Sequence, residues 1–328
     1  MPQDRFNREI DYLRISLTDH CNLRCVYCMP LLGTYAPAGH LLDAGEIERV
    51  ARAAAGVGFR KVRLTGGEPT LRRDLVEIVE RIATIPGIGD VALATNGILL
   101  PKLARPLVAA GLRRVNIHVD SLDGERVRKV MRWATVEEIW AGIEAAEAAG
   151  LRPIKLNTVV VDGYNETDVV DLARLTVTRD WHVRFIELMP LGGGECARLA
   201  TSRFVSNVDT RRRIEAELGP LESLPATSAA DESRNYRAHN ARGVLGFISP
   251  VSEPYCGTCN RMRLTADGKF HLCLLNDDEL DVRAALRRGA GLAEIGDILL
   301  RAVGAKPTGH SLLQGHSTEE RSMYHIGG

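Results

Sequence analysis

The sequence has no apolar run of the roughly 18 residues that a membrane-spanning helix needs. Its first residues, MPQDRFNREIDYLRISL, contain no apolar core of a secretory signal. It has no excess of charge of either sign, since Lys+Arg and Asp+Glu both number 42, and no low-complexity tract. These absences argue against nucleic acid and membranes as partners. We expect a cytoplasmic globular protein in which any anion is bound by a local group of basic residues.

Short β-branched segments alternate with helical segments over the first two-thirds of the chain. Six predicted strands begin at Tyr12, Lys61, Val91, Val115, Ile154 and Val183. Between them, AGEIERVARAAAGVG and TVEEIWAGIEAAEAAG have apolar residues at the spacing of amphipathic helices. This alternation predicts an α/β fold with a parallel sheet, either an incomplete (βα)₆ barrel or a flat doubly wound sheet. In both folds the chemistry lies at the carboxyl ends of the strands.

The pattern changes after Pro190. We interpret PLGGGECARLATSRF as a glycine-rich loop and SNVDTRRRIEAEL as a helix. The polar, turn-rich segment PLESLPATSAADESRN predicts a boundary between a first domain, residues 1–220, and a smaller α+β domain, residues 221–328. In the second domain, RMRLT and KFHLCL predict a hairpin that turns at Asp267-Gly268.

Three of the seven cysteines form a C-x₃-C-x₂-C loop directly after the first predicted strand: Cys21, Cys25 and Cys28. In a reducing compartment, clustered cysteines are metal ligands or catalytic groups more often than disulfides. Three thiolates leave one iron of a [4Fe–4S] cluster open to a substrate or cofactor. The alternative is a zinc site, but His20 adjoins Cys21 and is poorly placed to complete a tetrahedron.

The segment TGGEP, Thr65 to Pro69, follows at the end of the second predicted strand. Gly66 and Gly67 have no Cβ, so the backbone can approach a ligand closely. The carboxylate of Glu68 could lie near the ammonium group of such a ligand. These residues therefore predict a ligand contact beside the first cysteine group.

Three further cysteines form a second incomplete set of metal ligands, C-x₂-C-x₁₃-C: Cys256, Cys259 and Cys273. By themselves they also fit a zinc ribbon completed by His271 or another residue. Arg261 and Arg263 alternate on the predicted strand between them, so both side chains face the same side. Guanidinium groups bind phosphate through charge-assisted hydrogen bonds. An open cluster beside paired arginines predicts a nucleotide site.

The segments LRISLTDHCNLRCVYCMP, VRLTGGEPTLRRDL, FIELMPLG and CGTCNRMRLTADGKFHLCL resemble the GTP 3',8-cyclases, a radical S-adenosylmethionine (SAM) family of molybdenum cofactor biosynthesis. The resemblance extends over essentially the whole chain. It implies an incomplete (βα)₆ TIM-like barrel with SAM and a first [4Fe–4S] cluster, and a C-terminal α+β domain whose second [4Fe–4S] cluster binds the guanine of GTP. It also implies that a 5'-deoxyadenosyl radical takes hydrogen from ribose C3', after which C3' attacks guanine C8.

The resemblance assigns roles to matching positions. Contacts with SAM are expected from Tyr27, Gly66, Gly67, Glu68, His118 and Met189. Contacts with GTP are expected from Arg14, Lys61, Arg63, Thr95, Lys155, Arg261, Met262 and Arg263. Catalytic roles are expected for Arg14, Lys155, Arg261 and Arg263 and for the two C-terminal glycines, Gly327 and Gly328, which we expect to order at the barrel mouth. The chain departs from the family at His118, where a serine is expected, and at Ala94, where many members have a hydroxyl.

The expected partners are GTP, a reductant such as flavodoxin or ferredoxin, and a cyclic pyranopterin monophosphate synthase that consumes the product. A homodimer is compatible with the sequence. Two alternatives stay open: a radical SAM enzyme with an auxiliary cluster that acts on a peptide, and a non-catalytic iron–sulfur or zinc protein. Cys196 lies outside both motifs, and we interpret it as a free thiol.

Overall fold

The computed structural model describes residues 1–37, 39–226, 231–312 and 318–327. The strands in these residues are β1 (Tyr12–Ser16), β2 (Lys61–Thr65), β3 (Asp90–Thr95), β4 (Arg114–His118), β5 (Ile154–Val160), β6 (His182–Glu187), β7 (Glu222–Ser223), β8 (Arg234–Arg237), β9 (Val244–Ile248), β10 (Arg261–Leu264), β11 (Lys269–His271) and β12 (Glu279–Asp281). The helices are α1 (Ala44–Gly56), α2 (Leu75–Ala83), α3 (Leu100–Ala109), α4 (Gly124–Val130), α5 (Val136–Ala148), α6 (Val169–Thr178), α7 (Gly194–Ser202), α8 (Asn207–Leu218), α9 (Arg283–Arg287), α10 (Leu292–Gly304) and α11 (Met323–Ile326).

These strands form one sheet in the order β12-β11-β10-β1-β2-β3-β4-β5-β6-β9-β8-β7. From β1 to β6 the strands are parallel and adjacent in chain order. A doubly wound sheet reverses its strand order partway, whereas right-handed crossovers between sequential neighbours place the helices on one face. The observed order therefore confirms the incomplete (βα)₆ barrel and rules out the flat doubly wound sheet.

Strands from the C-terminal part of the chain extend both sides of the six-stranded barrel sheet. β10 pairs in parallel with β1, and β9 pairs in parallel with β6. The predicted hairpin is confirmed, because β10 and β11 are antiparallel neighbours on either side of Asp267-Gly268. The domain boundary after residue 220 stays a prediction; the residues before and after it contribute to one sheet.

The alternation within β1 shows how the barrel strands are built. All five residues of β1 are buried. Leu13 and Ile15 belong to the main hydrophobic core, whereas Tyr12, Arg14 and Ser16 alternate with them and face the other side of the sheet. A parallel strand that is covered on both faces commonly has no exposed side. In this barrel the second face is polar, which leaves room for a site.

One predicted loop is a helix. The segment PLGGGECARLATSRF, which we interpreted as a glycine-rich loop, contains α7, and this helix begins at Gly194. Gly192, Gly193 and Gly194 have positive φ values of 73°, 60° and 58°, so the glycines form only the turn before the helix. Cys196 and Ala200 are buried on the same helical face. Their four-residue spacing was the helical signal that the glycine run concealed.

Glu187 joins the end of β6 to the C-terminal part of the chain. Its buried carboxylate accepts hydrogen bonds from the backbone N–H groups of Asn207 at 3.0 Å, Val251 at 3.1 Å and Ser252 at 2.9 Å. The Ser252 hydroxyl donates a further bond. One carboxylate therefore fixes the segment that leads into Cys256.

Replacing Glu187 with Gln keeps the size of the side chain but puts an amide N–H₂ against backbone donors. We expect the free energy of unfolding to fall by about 2 kcal/mol, as is usual when a buried hydrogen bond to a charged group is lost. Urea unfolding measures the change, and Glu222→Gln on exposed β7 is the control. Equal stability of the two variants would contradict the role of Glu187.

Candidate active site

The first cysteine group lies in the loop that follows β1. The carbonyl oxygen of Cys25 accepts hydrogen bonds from the N–H groups of Cys28 at 3.0 Å and Met29 at 3.1 Å, which turns the loop back on itself. Burial raises the pKa of Cys21 to about 11 and raises the pKa of Cys25 and of Cys28 well above its usual range. A metal ion binds the deprotonated thiolate. Metal binding at these cysteines therefore releases their protons.

The TGGEP segment packs directly against the chain that leads into the first cysteine. The N–H of Gly67 donates to Thr18 O at 2.6 Å, and the N–H of Glu68 donates to His20 O at 2.7 Å. A Cβ at Gly66 would lie 2.5 Å from Thr18 O, and a Cβ at Gly67 would lie 2.3 Å from His20 O. Both glycines are therefore required by this backbone packing, whatever ligand the segment contacts.

The carboxylate of Glu68 connects the ends of β2 and β3. Thr95 Oγ1 and Asn96 N each donate to it at 2.7 Å, and Thr70 N donates at 3.0 Å. Burial raises the pKa of Glu68 above its ordinary value, although these hydrogen bonds oppose the shift. The structure thus brings Glu68 and Thr95 into direct contact. The roles expected for them toward SAM and GTP stay predictions.

His118 stands beside the first cysteine group in a cluster of polar side chains. Its Nε2 lies 2.6 Å from the Tyr27 hydroxyl and 2.8 Å from Asp120 Oδ2, and the Tyr27 hydroxyl donates to Asp120 at 2.7 Å. Burial acts to lower the pKa of His118, but Asp120, a hydrogen bond with the Asn157 backbone and the charge of Glu68 act to raise it, and the net shift is upward. Asp120 is the member of this cluster that the sequence did not suggest.

The spacing of ligand atoms separates an iron–sulfur cluster from a single zinc ion. A zinc ion with Zn–S distances of about 2.3 Å holds tetrahedral sulfurs about 3.8 Å apart. The described ranges contain all six motif cysteines. Among these residues, Cys25, His118 and Asp120 form the group whose three ligand atoms lie within 4.8 Å of one another. Neither set of three cysteines has its sulfurs at zinc spacing. Either set would therefore have to bring its sulfurs closer together to hold a single zinc ion.

The second cysteine group is held by the N-terminal segment of the chain. Arg8 donates to Cys256 O at 2.8 Å, to Thr308 O at 2.9 Å and to Pro307 O at 2.6 Å. Asp4 accepts from Arg8 Nε at 2.6 Å and fixes the guanidinium group. Arg8 therefore connects the first cysteine of the group with Pro307 and Thr308, which lie 51 and 52 positions further along the chain.

Lys306 supports the other side of the second cysteine group. Its buried ammonium donates to Arg261 O and to Leu272 O, both at 2.7 Å. Burial acts to raise the pKa of Cys259, but Lys306 and Arg261 lower it below its ordinary value. Burial raises the pKa of Cys273. The second group thus lies in a more cationic environment than the first.

The strand register brings three arginines together in one row. Arg14 on β1 is the Cα partner of Arg263 on β10 and of Arg63 on β2. Arg184 on β6 and Arg261 on β10 complete the set, which we call the arginine group: Arg14, Arg63, Arg184, Arg261 and Arg263. All of its members are buried.

Glu232 lies at the centre of four of these arginines. Its carboxylate is 3.1 Å from Arg261, 3.7 Å from Arg184, 3.9 Å from Arg63 and 4.0 Å from Arg14. Burial acts to raise the pKa of Glu232, but the arginines lower it well below its usual range. The site is therefore built for negative charge.

Burial and mutual repulsion weaken proton binding in this cationic interior. Burial lowers the pKa of Arg263 to about 9, with Arg14 and Arg261 adding to the shift. Burial lowers the pKa of Arg184 to about 10 and that of Lys155 to about 8. An added anion opposes these shifts, because it favours the charged forms.

Of the remaining residues expected at the site, some lie beside the arginine group and others point away from it. Met189 and Arg263 line the pocket beside the second cysteine group. The ammonium of Lys61 pairs with Asp11 at 3.3 Å rather than with Glu232. The side chain of Met262 is in the hydrophobic core, so any contact it makes with GTP is through its backbone.

The described end of the chain reaches the arginine group. The carbonyl oxygen of Gly327 accepts a hydrogen bond from Arg263 Nη1 at 2.5 Å. Its backbone lies against Thr65 at the end of β2. Gly328 lies outside the described residues.

Several residues of the site were missed from the sequence: Arg8, Asp120, Arg184, Glu232 and Lys306. Arg184 had a detectable signal, because it sits at an alternating position of a predicted strand just as Arg14 and Arg63 do. Glu232 lies within the polar, turn-rich segment PLESLPATSAADESRN and belongs to no motif. Arg8 and Lys306 contact residues far from them in the chain, and no local pattern reports such contacts.

Comparison with known proteins gives the class. Residues 15–176 match the Radical SAM superfamily, and residues 181–312 match Molybdenum Cofactor Synthesis C. Among solved structures, SuiB of Streptococcus suis bound to S-adenosylmethionine is similar in fold, with a TM-score of 0.62 and 14% identity over 88% of this chain and 72% of that chain. The fold and the first cysteine group define a radical SAM protein.

Closer relatives give the family. A GTP 3',8-cyclase of Pelotomaculum thermopropionicum is 47% identical over 99% of this chain and 100% of its own length. One of Moorella thermoacetica is 45% identical with the same coverage. The chain belongs to the GTP 3',8-cyclase family.

Arg8 offers a test of the second cysteine group. Replacing Arg8 with Gln removes the guanidinium that holds Cys256 and residues 307–308 in place. We expect iron content after anaerobic reconstitution to fall from about eight to about four per chain, since each [4Fe–4S] cluster has four irons. Iron and acid-labile sulfide assays measure this, with exposed Arg5→Gln as the control. Full iron loading in Arg8→Gln would show that the contact is dispensable.

Proposed function

We propose that the protein is a GTP 3',8-cyclase, a radical SAM lyase that converts GTP to (8S)-3',8-cyclo-7,8-dihydroguanosine 5'-triphosphate in the first step of molybdopterin biosynthesis. The observation that carries the proposal is the buried arginine group, which adjoins the second cysteine group inside a barrel that bears the first. This combination provides a polyphosphate site beside two sets of metal ligands. Family membership supports the same function.

The cofactors are a [4Fe–4S] cluster with SAM, and a second [4Fe–4S] cluster on the C-terminal cysteines. When bound, the first cluster and SAM supply the 5'-deoxyadenosyl radical that takes hydrogen from ribose C3'. Cys21, Cys25 and Cys28 fit the first cluster, because they leave one iron open. Cys256, Cys259 and Cys273 fit the second in the same way, and its open iron would face the guanine. We place Tyr27, Gly66, Gly67, Glu68, His118 and Met189 around SAM.

The arginines bind and orient the triphosphate. Arg14, Arg63 and Arg263 come from adjacent strands, so their guanidinium groups can contact neighbouring phosphoryl oxygens at the same time. Lys155 gains affinity for its proton when phosphate is near, because its pKa of about 8 is set by burial and by Arg184. Rigid strands hold all of these groups, which favours a single orientation of ribose and base. Lys61 and Thr95 are proposed contacts at the edge of this site.

The C-terminal tail closes the site. Arg263 donates to Gly327 O, so the tail orients a guanidinium that we propose to contact the substrate. The backbone of Gly327 also lies beside the start of the TGGEP segment. The tail therefore touches the surroundings of both proposed cofactor sites.

Several expectations about partners and location stay predictions. These are the reductant, the downstream synthase, a homodimer and the cytoplasmic location. None of the helices in the described part of the chain is both long and apolar enough to span a bilayer. A peptide substrate is not favoured, because a buried group of arginines with one central carboxylate suits a polyphosphate better than a peptide.

The decisive experiment uses protein that is purified without oxygen and reconstituted with iron and sulfide. With reductant, SAM and GTP, we expect 5'-deoxyadenosine and a cyclised isomer of GTP, both detected by liquid chromatography and mass spectrometry. Cys259→Ser should lose the isomer while the first cluster remains. Deoxyadenosine without any change to GTP would mean that the substrate is wrong.

A substitution at Gly327 tests whether the C-terminal tail contributes to turnover. Its φ is +83°, and an added Cβ would lie 2.5 Å from Thr65 Cγ2, so Gly327→Ala must displace the tail. We expect turnover to fall about a hundredfold, the effect of misplacing a substrate-orienting group by about 1 Å. Iron content should not change. Gly304→Ala, whose Cβ meets no atom within 4 Å, is the control. Normal turnover in Gly327→Ala would remove the tail from the mechanism.

A further inference from the structure

The carboxylate of Glu232 is within hydrogen-bond distance of only one of the four arginines around it. Only Arg261, at 3.1 Å, is close enough for a hydrogen bond. The contacts with Arg184, Arg63 and Arg14 are 3.7, 3.9 and 4.0 Å, whereas charge-assisted N–H···O bonds measure about 2.7–2.9 Å. Four guanidinium groups therefore surround one carboxylate without closing on it. A larger anion with more oxygens would contact all four.

Two of the four arginines around Glu232 have other hydrogen-bond partners. Arg184 Nε donates to Asn157 Oδ1 at 2.9 Å. The amide oxygen of Asn116, when turned toward the arginines, accepts from Arg63 and from Arg184, each at 2.7 Å. These amides hold Arg63 and Arg184 in place without Glu232.

Glu232 itself comes from outside the barrel strands. It stands two residues before Arg234, where β8 begins, and β8 has only the two-residue β7 on its outer side among the described strands. Gly246 on β9 makes room for this segment, because a Cβ there would lie 2.3 Å from Ser233 Oγ and 2.9 Å from Arg184 Cγ. Glu232 is thus placed over the barrel interior by a peripheral segment that lies outside β1 to β6.

Charge balance explains why a carboxylate lies among the arginines when no anionic ligand is bound. Buried cations without a counter-ion are costly, and Glu232 reduces that cost. An incoming anion must take its place, since both interact with the same guanidinium groups. A triphosphate brings about four negative charges at neutral pH, whereas inorganic phosphate brings at most about two. The two anions therefore differ strongly in how tightly they bind the arginine group.

We propose that Glu232 is an internal counter-ion that competes with anionic ligands for the arginine group and thereby keeps monophosphates out of the site. The proposal rests on the proposed function, because it takes the triphosphate of GTP as the anion that displaces Glu232. An anion binds only when Glu232 is displaced. The observed affinity of each anion is therefore its intrinsic affinity multiplied by the fraction of protein in which Glu232 is displaced. Inorganic phosphate, which binds weakly from the outset, is then excluded at millimolar concentrations. A triphosphate keeps enough affinity to bind.

The test measures binding of inorganic tripolyphosphate and of inorganic phosphate to reconstituted protein by calorimetry, without SAM or reductant. Glu232→Gln removes the charge and keeps the size. We expect the affinity for both anions to rise at least tenfold and by similar factors. Glu253→Gln, which removes an acid paired with Arg234 on the neighbouring surface, should leave both affinities unchanged. Glu232→Asp keeps the charge and should change them less than Glu232→Gln does.

Thermal unfolding controls for misfolding. Without anion, Glu232→Gln should unfold at a lower temperature than the unchanged protein, because the arginines lose their counter-ion. With saturating tripolyphosphate the two should unfold at the same temperature. Unchanged affinity in Glu232→Gln would overturn the proposal, and weaker binding would do so too, because it would mean that Glu232 assists the ligand.

The outcome is separable from that of the proposed function, because anion binding requires no turnover. Tighter binding in Glu232→Gln together with no cyclisation by the unchanged protein would retain the counter-ion and reject the GTP assignment. Cyclisation with no change in anion affinity would retain the enzyme and reject the counter-ion.

Discussion

The parallel pairing of β10 with β1 is the constraint on which the whole site depends. β1 leads directly into the first cysteine group, and β10 lies between the second and third cysteines of the other group. Backbone hydrogen bonds between these two strands therefore fix both groups relative to each other. The same register places Arg14 beside Arg263. A shift of one residue would turn every side chain of β10 to the opposite face and separate the arginines from the barrel interior.

The interior of this barrel is a compromise between stability and binding. Five arginines are buried together, and burial with mutual repulsion lowers the pKa of Arg14, Arg184 and Arg263. The structure offsets their charge with Glu232 and neutral amides rather than with an equal number of acids. A fully neutralised interior would be more stable but would have nothing left for an anionic ligand. Sites that must bind charge are expected to carry such a cost. The apolar outer face of the same strands, with Leu13 and Ile15 in the core, compensates for it.

Local patterns in the sequence were sufficient to predict the barrel strands and the hairpin after Cys259, and they singled out the two cysteine groups whose metal binding stays a prediction. These features depend on spacing over a few residues, such as the alternation in KVRLT or the three cysteines of CNLRCVYC. The pairing of β9 and β10 with the barrel could not be found in this way, because it joins strands that are far apart in the chain. Glu232 carries no periodic or motif signal, since it is placed by the fold of a polar segment. The error at α7 has a different origin: glycines at the start of a helix outweighed the apolar spacing that follows them.

The position of β1 also sets an order on the maturation of the protein. Its neighbour β2 is complete at Thr65, and Asn96 follows soon after, so the surroundings of the first cysteine group exist early in synthesis. The other edge of β1 stays open until residue 264 has been made, and two carbonyl acceptors of Arg8, those of Pro307 and Thr308, are made only near the end of the chain. Domains fold as their residues leave the ribosome, and open strand edges invite aggregation until they are paired. The topology therefore separates the completion of the two cysteine groups in time. The surroundings of the N-terminal group can form on a nascent chain, whereas those of the C-terminal group are completed only when translation is almost finished.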